Sequence, residues 1–188
     1  MKIAFCCMAT GPYKDMLPPL ISSIKTHVLP GHVVDVHVFS DMERRSSPAG
    51  AILHPFFGGT GYRVTLCKWQ CLLEMPGSDY DYIYWIDTDM IVVATVGDEI
   101  LKPRIAVHHS WFYNQPRDKW PYERNPKSLA YMGPDEGTNY VQGCLFGGES
   151  KNLLDMAKTC CEWTDYDQRL GISPISTDSF PVHSVRNL

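Results

Sequence analysis

The stretch Tyr80-Asp-Tyr-Ile-Tyr-Trp-Ile-Asp-Thr-Asp89 decides the fold. From Tyr80 to Ile86 it is an almost unbroken run of aromatic and β-branched residues. Such a run fits a strand buried on both faces, as in a parallel sheet covered by helices. The residues upstream supply that sheet. Residues 2–9 are apolar and stop at Thr10-Gly-Pro12, as a buried first strand does. Residues 15–27 carry Leu17, Leu20, Ile21 and Ile24 at helical spacing, with Pro18 and Pro19 where only a first turn tolerates them. Pro30-Gly31 ends that helix, and the β-branched run 33–39 follows as a second strand. Strand, helix, strand in this order implies parallel pairing and an α/β class.

Further along, residues 51–57 read as a third strand. Residues 62–75 read as a helix whose Arg63, Lys68 and Glu74 fall between the apolar positions. Residues 90–96 read as a short strand. Residues 113–139, rich in proline and charge, read as a long ordered loop. The run 140–146 is apolar and enters Gly147-Gly148. Residues 151–163 read as a helix with Leu153, Leu154, Ala157 and Cys161 on one face. With 188 residues and no repeat, the chain is expected to be one domain, 1–188.

Asp87 and Asp89 leave the most apolar strand one residue apart. In an extended chain residues i and i+2 share a side, so both carboxylates are expected at one spot beyond the strand's C-terminal end. Open parallel sheets bind ligands there. Two close carboxylates repel each other unless a cation sits between them. Hard oxygen ligands suit Mn²⁺ or Mg²⁺, which also bridge phosphates. The same residues also fit the start of an ordinary turn, where Asp is frequent. The residues alone leave these two readings even.

Composition narrows the partners. Hydrophobic residues make up 44%, charged residues 20%, and the formal net charge is −4. That is no basic footprint for nucleic acid or an anionic membrane. An anionic ligand would need a metal or a few placed cations. The seven cysteines are odd in number, include two adjacent pairs and show no C-x-x-C spacing. This is neither a disulfide framework nor a zinc site, and it fits the reduced thiols of a cytoplasmic, soluble protein. No run of 18 apolar residues and no secretory leader is evident, so no membrane span is expected.

The segment Tyr82-Ile-Tyr-Trp-Ile-Asp-Thr-Asp-Met90, followed by Val96-Gly-Asp-Glu-Ile-Leu-Lys-Pro103, resembles glycosyltransferase family 6. This is the family of the histo-blood-group A and B transferases and the α-1,3-galactosyltransferase. The likeness continues through His109-Ser-Trp-Phe-Tyr113 and is densest in Tyr122-Glu-Arg-Asn-Pro126, Ser128-Leu-Ala-Tyr131, Asp135-Glu-Gly137 and Leu145-Phe-Gly-Gly148. It covers roughly 8–172, and the chain looks like a short microbial or phage-type member with the D-x-D motif.

The resemblance implies a GT-A fold: a Rossmann-like mixed, mainly parallel sheet with helices on both faces, here C-terminally truncated. It implies a retaining transfer of Gal or GalNAc from a UDP-sugar to a galactose 3-hydroxyl, with Mn²⁺ (or Mg²⁺) on Asp87 and Asp89. Met8, Ala9, Thr10 and Tyr13 fall on the uridine contacts, Thr88 on the ribose contact, and Arg63 on a donor-binding arginine. Gln142, Gly143 and Cys144 fall on the donor-sugar pocket, and His109, Ser110 and Trp111 on the acceptor site. The family then carries Trp-His-Asp-Glu-Ser, whose glutamate is the proposed nucleophile or stabiliser. This chain has Ser176-Thr177-Asp178-Ser179, which keeps the aspartate and replaces the glutamate. Another carboxylate would have to help, and Asp178 and Glu136 are the candidates.

Two functions are therefore expected to compete: a slow or donor-hydrolysing transferase acting on a galactoside acceptor, or a UDP-sugar-binding protein with little transfer. A phosphatase using the first Asp would need Ser/Thr, Lys and paired-Asp motifs downstream, and that set is absent. The surface left by a missing C-terminal segment would favour a homodimer.

Overall fold

The computed structural model describes residues 1–56, 66–76 and 79–172. Strands β1 (Lys2–Ala9), β2 (Val33–Ser40), β3 (Ala51–Pro55), β4 (Tyr82–Ile86), β5 (Arg104–His108) and β6 (Val141–Glu149) form one sheet in the order β3-β2-β1-β4-β6-β5. β3, β2, β1 and β4 pair in parallel, and β6 runs antiparallel between β4 and β5. Helix α1 (Leu17–His27) covers one face. Helices α2 (Lys68–Glu74) and α3 (Ser150–Arg169) cover the other. The mixed, mainly parallel α/β sheet with helices on both faces is the expected architecture.

β4 is buried as its composition requires. Ile83 and Trp85 enter the core under α2 and α3, while Tyr84 and Ile86 enter the core under α1. Before α1, residues Gly11–Met16 form a 3₁₀ turn, and Pro18 and Pro19 occupy the first helical turn, where no N–H is needed.

Several segments differ from the expectation. Residues 90–96 form no strand, and only Val96 makes an isolated bridge, to Val28. The Val92 N–H donates to Ser23 Oγ at 3.1 Å, and Val96 bridges the end of α1 through the Val96 N–H to His27 O at 2.9 Å. These bonds tie Val92 and Val96 to α1 rather than to a neighbouring strand. β5, unassigned from the sequence, is a five-residue edge strand whose last two residues are exposed, which leaves little alternation to read. β6 does not stop at Gly147-Gly148 but runs through them, because there the strand presses against its neighbour. A Cβ on Gly147 would lie 2.5 Å from Tyr84 Cδ1 and 2.7 Å from Tyr84 Cα, and would strike the Ile83 carbonyl.

α3 continues beyond 163 to Arg169. The reason is tertiary. Fully buried Asp167, in its last turn, accepts the Ser128 hydroxyl at 2.5 Å and the Leu129 N–H at 3.0 Å. This ties down the long loop 113–139, which has no regular element beyond the short turn Arg117–Lys119. Tyr122 Oη donating to Asn139 O at 3.0 Å and the Met132 N–H donating to Glu123 O at 2.9 Å hold the rest of it. All seven cysteines are free thiols.

Candidate functional site

From β1 the chain turns aside to β2 and β3, then returns to place β4 on β1's other edge. The C-terminal ends of β1 and β4 therefore flank the point where strand order reverses, the usual ligand crevice of open α/β sheets. Residues from three strand ends meet there. Thr88 Oγ1 donates to Met8 O at 2.7 Å. The Asp87 N–H donates to Cys144 O at 2.8 Å. Ser40 Oγ donates to Ala9 O at 2.6 Å and fixes β1's last residue from the β2 side. The segments 8–10, 87–89 and 142–144 thus form one hydrogen-bonded rim.

Asp87-Thr88-Asp89 is a turn rather than a continuation of β4. β4 ends at Ile86, and the Met90 N–H donates to Asp87 O at 3.2 Å. The expectation that strand alternation aligns the two carboxylates is corrected by this turn. Asp87 is half-buried and its Oδ1 accepts Trp85 Nε1–H at 2.8 Å. Thr88 is buried, and Asp89 is exposed. Below them, burial pushes the Cys7 thiol up to about 12, with a Thr88 hydrogen bond opposing the shift and the Asp87 charge adding to it.

Among the described residues, no group of three or more His, Cys, Asp or Glu side chains gathers to hold a metal. Asp87 and Asp89 supply two carboxylates. A self-sufficient cage needs more, but Mg²⁺ and Mn²⁺ are commonly held by one or two carboxylates with water and ligand phosphates. By donor chemistry alone, two carboxylates are of the kind such an ion takes when it arrives with a phosphate ligand.

Lys68 was read from the sequence as a polar residue between apolar positions. The structure buries it at 3% exposure. Its Nζ donates to Gly143 O at 3.2 Å and lies 5.8 Å from the Trp85 ring and 5.7 Å from the Phe146 ring. No carboxylate pairs with it among the described residues. A cation seated against the 142–144 segment, beside the indole that holds Asp87, is well placed for an anionic ligand. Its sequence signal was its position four residues before Leu72, on the buried side of α2.

The other expected residues take varied places. Tyr13 is half-exposed in the turn after β1, with its N–H on Thr10 O at 3.2 Å. Gln142 is partly exposed at the start of β6, and Gly143 beside it is buried. His109 follows β5, and its N–H donates to the O of Tyr140, the residue before β6, at 2.9 Å. Its ring packs on Phe112 and Tyr140, and its Nδ1 accepts the Trp111 N–H at 3.3 Å. Ser110 is exposed, and Trp111 is 81% exposed. This group lies two strand positions from Asp87, roughly 10 Å along the same rim. Glu136 is exposed, and its Oε2 accepts the Gly133 N–H at 2.7 Å. Arg63 and Asp178 lie outside the described residues.

Residues 57–180 match the sequence model of glycosyltransferase family 6. The chain is 34% identical over 171 residues to globoside alpha-1,3-N-acetylgalactosaminyltransferase 1 of Mus musculus, covering 85% of this chain and 49% of that protein. It is 28% identical over 194 residues to histo-blood group ABO system transferase 2 of Rattus norvegicus, covering 94% and 56%. It is 25% identical over 191 residues to alpha-1,3-galactosyltransferase 2 of Homo sapiens, covering 92% and 54%. The chain spans about half the length of the curated relatives it matches.

Proposed function

Because the chain belongs to glycosyltransferase family 6, we propose that it binds UDP-GalNAc or UDP-Gal at the β1/β4/β6 rim and transfers the sugar, with retention, to the 3-hydroxyl of a galactoside. The observation that carries this reading is the hydrogen-bonded meeting of 8–10, 87–89 and 142–144 at the strand-order reversal. In this reading Tyr13 stacks on the uracil with its open ring face, and the Thr88 backbone faces the ribose. Asp87 and Asp89 hold Mn²⁺ or Mg²⁺, which when bound neutralises the diphosphate and stabilises departing UDP. Lys68 contributes a fixed positive charge at the 142–144 side of the donor. His109 and the uncovered Trp111 ring receive the acceptor sugar.

Lys68→Met tests the cation. Lys68 pairs with no carboxylate among the described residues, so an apolar side chain of similar length removes the cost of burying its charge, and the urea midpoint is expected to hold. Donor affinity is expected to fall on the order of ten- to a hundredfold, as for a lost charged hydrogen bond. An unchanged affinity would remove Lys68 from the site. A midpoint that falls along with affinity would make its role structural.

A second reading has its own support. Transfer passes through an oxocarbenium-like state that a carboxylate on the sugar's β-face stabilises. This chain carries Ser179 at the family's glutamate position, and the Glu136 carboxylate is engaged by the Gly133 N–H. A UDP-sugar-binding protein with little transfer would show those features. One UDP-release assay separates the two, run with both donors, with and without a β-galactoside. The transferase reading expects release that rises with acceptor, over a background of donor hydrolysis. Donor binding without any release selects the binding protein.

A further inference from the structure

Away from the rim, a chain of polar side chains runs through the sheet's α2/α3 face without a part in the proposed reaction. Tyr80 Oη donates to Asp35 Oδ2 at 2.9 Å. His37 Nε2 lies 2.7 Å from Tyr80 Oη, and His37 Nδ1 lies 2.8 Å from His54 Nε2. The direction of the first bond fixes the others. Tyr80 has spent its proton on Asp35, so its oxygen accepts the His37 Nε2–H. The bare His37 Nδ1 then accepts the His54 Nε2–H. His37 is 1% exposed, His54 stacks on it at 5.0 Å and on Phe39 at 4.7 Å, and the two rings join β2 to the edge strand β3.

We propose that this His54–His37–Tyr80–Asp35 chain is a proton-sensitive tie that holds β3 on the sheet and releases it in acid. An extra proton at its centre is costly because of where it lands. On His37 Nδ1 it would put a positive charge on a ring that is 1% exposed and would force His54 to move its own proton from Nε2 to Nδ1. A proton on His54 Nδ1 would place a charge on a ring stacked between His37 and Phe39. The charged and titratable groups around the tie are Lys2 and Cys6 from β1, Asp35 within β2, and Asp79, Tyr80 and Asp81 from the approach to β4. Lys2 Nζ lies 4.5 Å from the Tyr80 ring centre, and the Lys2 backbone N–H donates to Asp81 Oδ2 at 2.8 Å.

Burial pulls His37 down to about 4, helped by the His54 and Lys2 charges and opposed by Asp35. Burial also lowers His54. Both folded values lie below the unfolded value near 6.5, so the unfolded chain binds more protons in this window. The tie's contribution is full above about pH 6.5 and is lost as pH falls toward about 4. Release of β3 would also free the Phe56 N–H from Ser40 O, and Ser40 is the residue that fixes Ala9.

The test uses stability and NMR and needs no activity. In the native protein the His37 imidazole resonances are expected not to titrate between pH 8 and 5, and titration near 6.5 overturns the proposal. Protection of the β3 amides of Ile52 and Leu53 is expected to fall about tenfold or more relative to β1 between pH 7 and 5, as a local opening does. A parallel fall in both strands overturns the release of β3. Proton uptake on unfolding at pH 5.5 is expected to drop by roughly one proton in His37→Gln. An unchanged uptake in His37→Gln overturns the proposal. If that variant does not fold, the wild-type NMR titration decides.

Discussion

Asp89→Asn is expected to abolish metal-dependent donor binding while leaving the fold intact. Asp89 is exposed, on a turn whose backbone is set by the Met90 N–H on Asp87 O, so its carboxylate carries little of the stability. Its proposed task is to share a divalent ion with Asp87. Removing one of two carboxylates leaves the ion one protein ligand and one less negative charge. Taking about 3 kcal/mol for a lost charge partner in a desolvated site, the donor Kd in Mn²⁺ is expected to rise on the order of a hundredfold. Titration calorimetry with UDP-GalNAc and UDP-Gal measures this. Wild type in EDTA is expected to behave like the variant in Mn²⁺. Wild-type affinity that ignores EDTA would sink the metal role, and unchanged binding by the variant would remove Asp89 from the site. Asp87→Asn is a weaker probe, since Asp87 also accepts the Trp85 indole.

Gly147→Ala is expected to be severely destabilising. β6 crosses β4 there, with Gly147 opposite Tyr84 and Gly148 opposite Ile83. The added carbon would meet the Ile83 carbonyl and Tyr84 Cα, both main-chain groups in the centre of the sheet, which cannot step aside. Overpacking usually costs about 1–3 kcal/mol, and backbone collisions in a core reach beyond that. A loss of about 3 kcal/mol or more is expected in urea unfolding, a large share of a domain's usual stability of about 5–15 kcal/mol. Gly97→Ala is the contrast. Its new methyl would meet only the end of the Glu99 side chain, which can turn away, and a change under about 1 kcal/mol is expected. Equal effects at the two positions would show that the strand crossing tolerates a side chain.

How much was legible depended on how local each signal was. β1, α1, β2 and β4 declared themselves because each buries a face or a stripe that its own residues spell out, with Pro18 and Pro19 marking a helix start. The crevice followed from Asp87 and Asp89 leaving the C-terminal end of a strand read as parallel. Hidden features depended on distant partners. The turn at Asp87 was one of two readings left open, and the bond from the Met90 N–H that decides for it is not visible in alternation. Lys68 looked like a surface cation because periodicity at α2 was read from its apolar residues. Its pocket is made by Trp85, Gly143 and Phe146, all at least 17 positions away. β5 is visible only once β6 is known to pass beside it. Gly147-Gly148 looked like a strand end, yet the missing side chains serve a crossing inside the sheet.

The insertion of β6 between β4 and β5 also has a consequence for how the protein is made. β4 ends at residue 86, and the strand that covers its open edge begins at residue 141. At translation speeds of about 5–20 residues per second, that edge waits roughly 3–11 s after β4 is synthesised. Throughout that interval the most apolar strand of the protein can have β1 on one side only. Nascent chains are therefore most exposed to misassociation in this window, and slowing the ribosome between codons 87 and 140 would lengthen it.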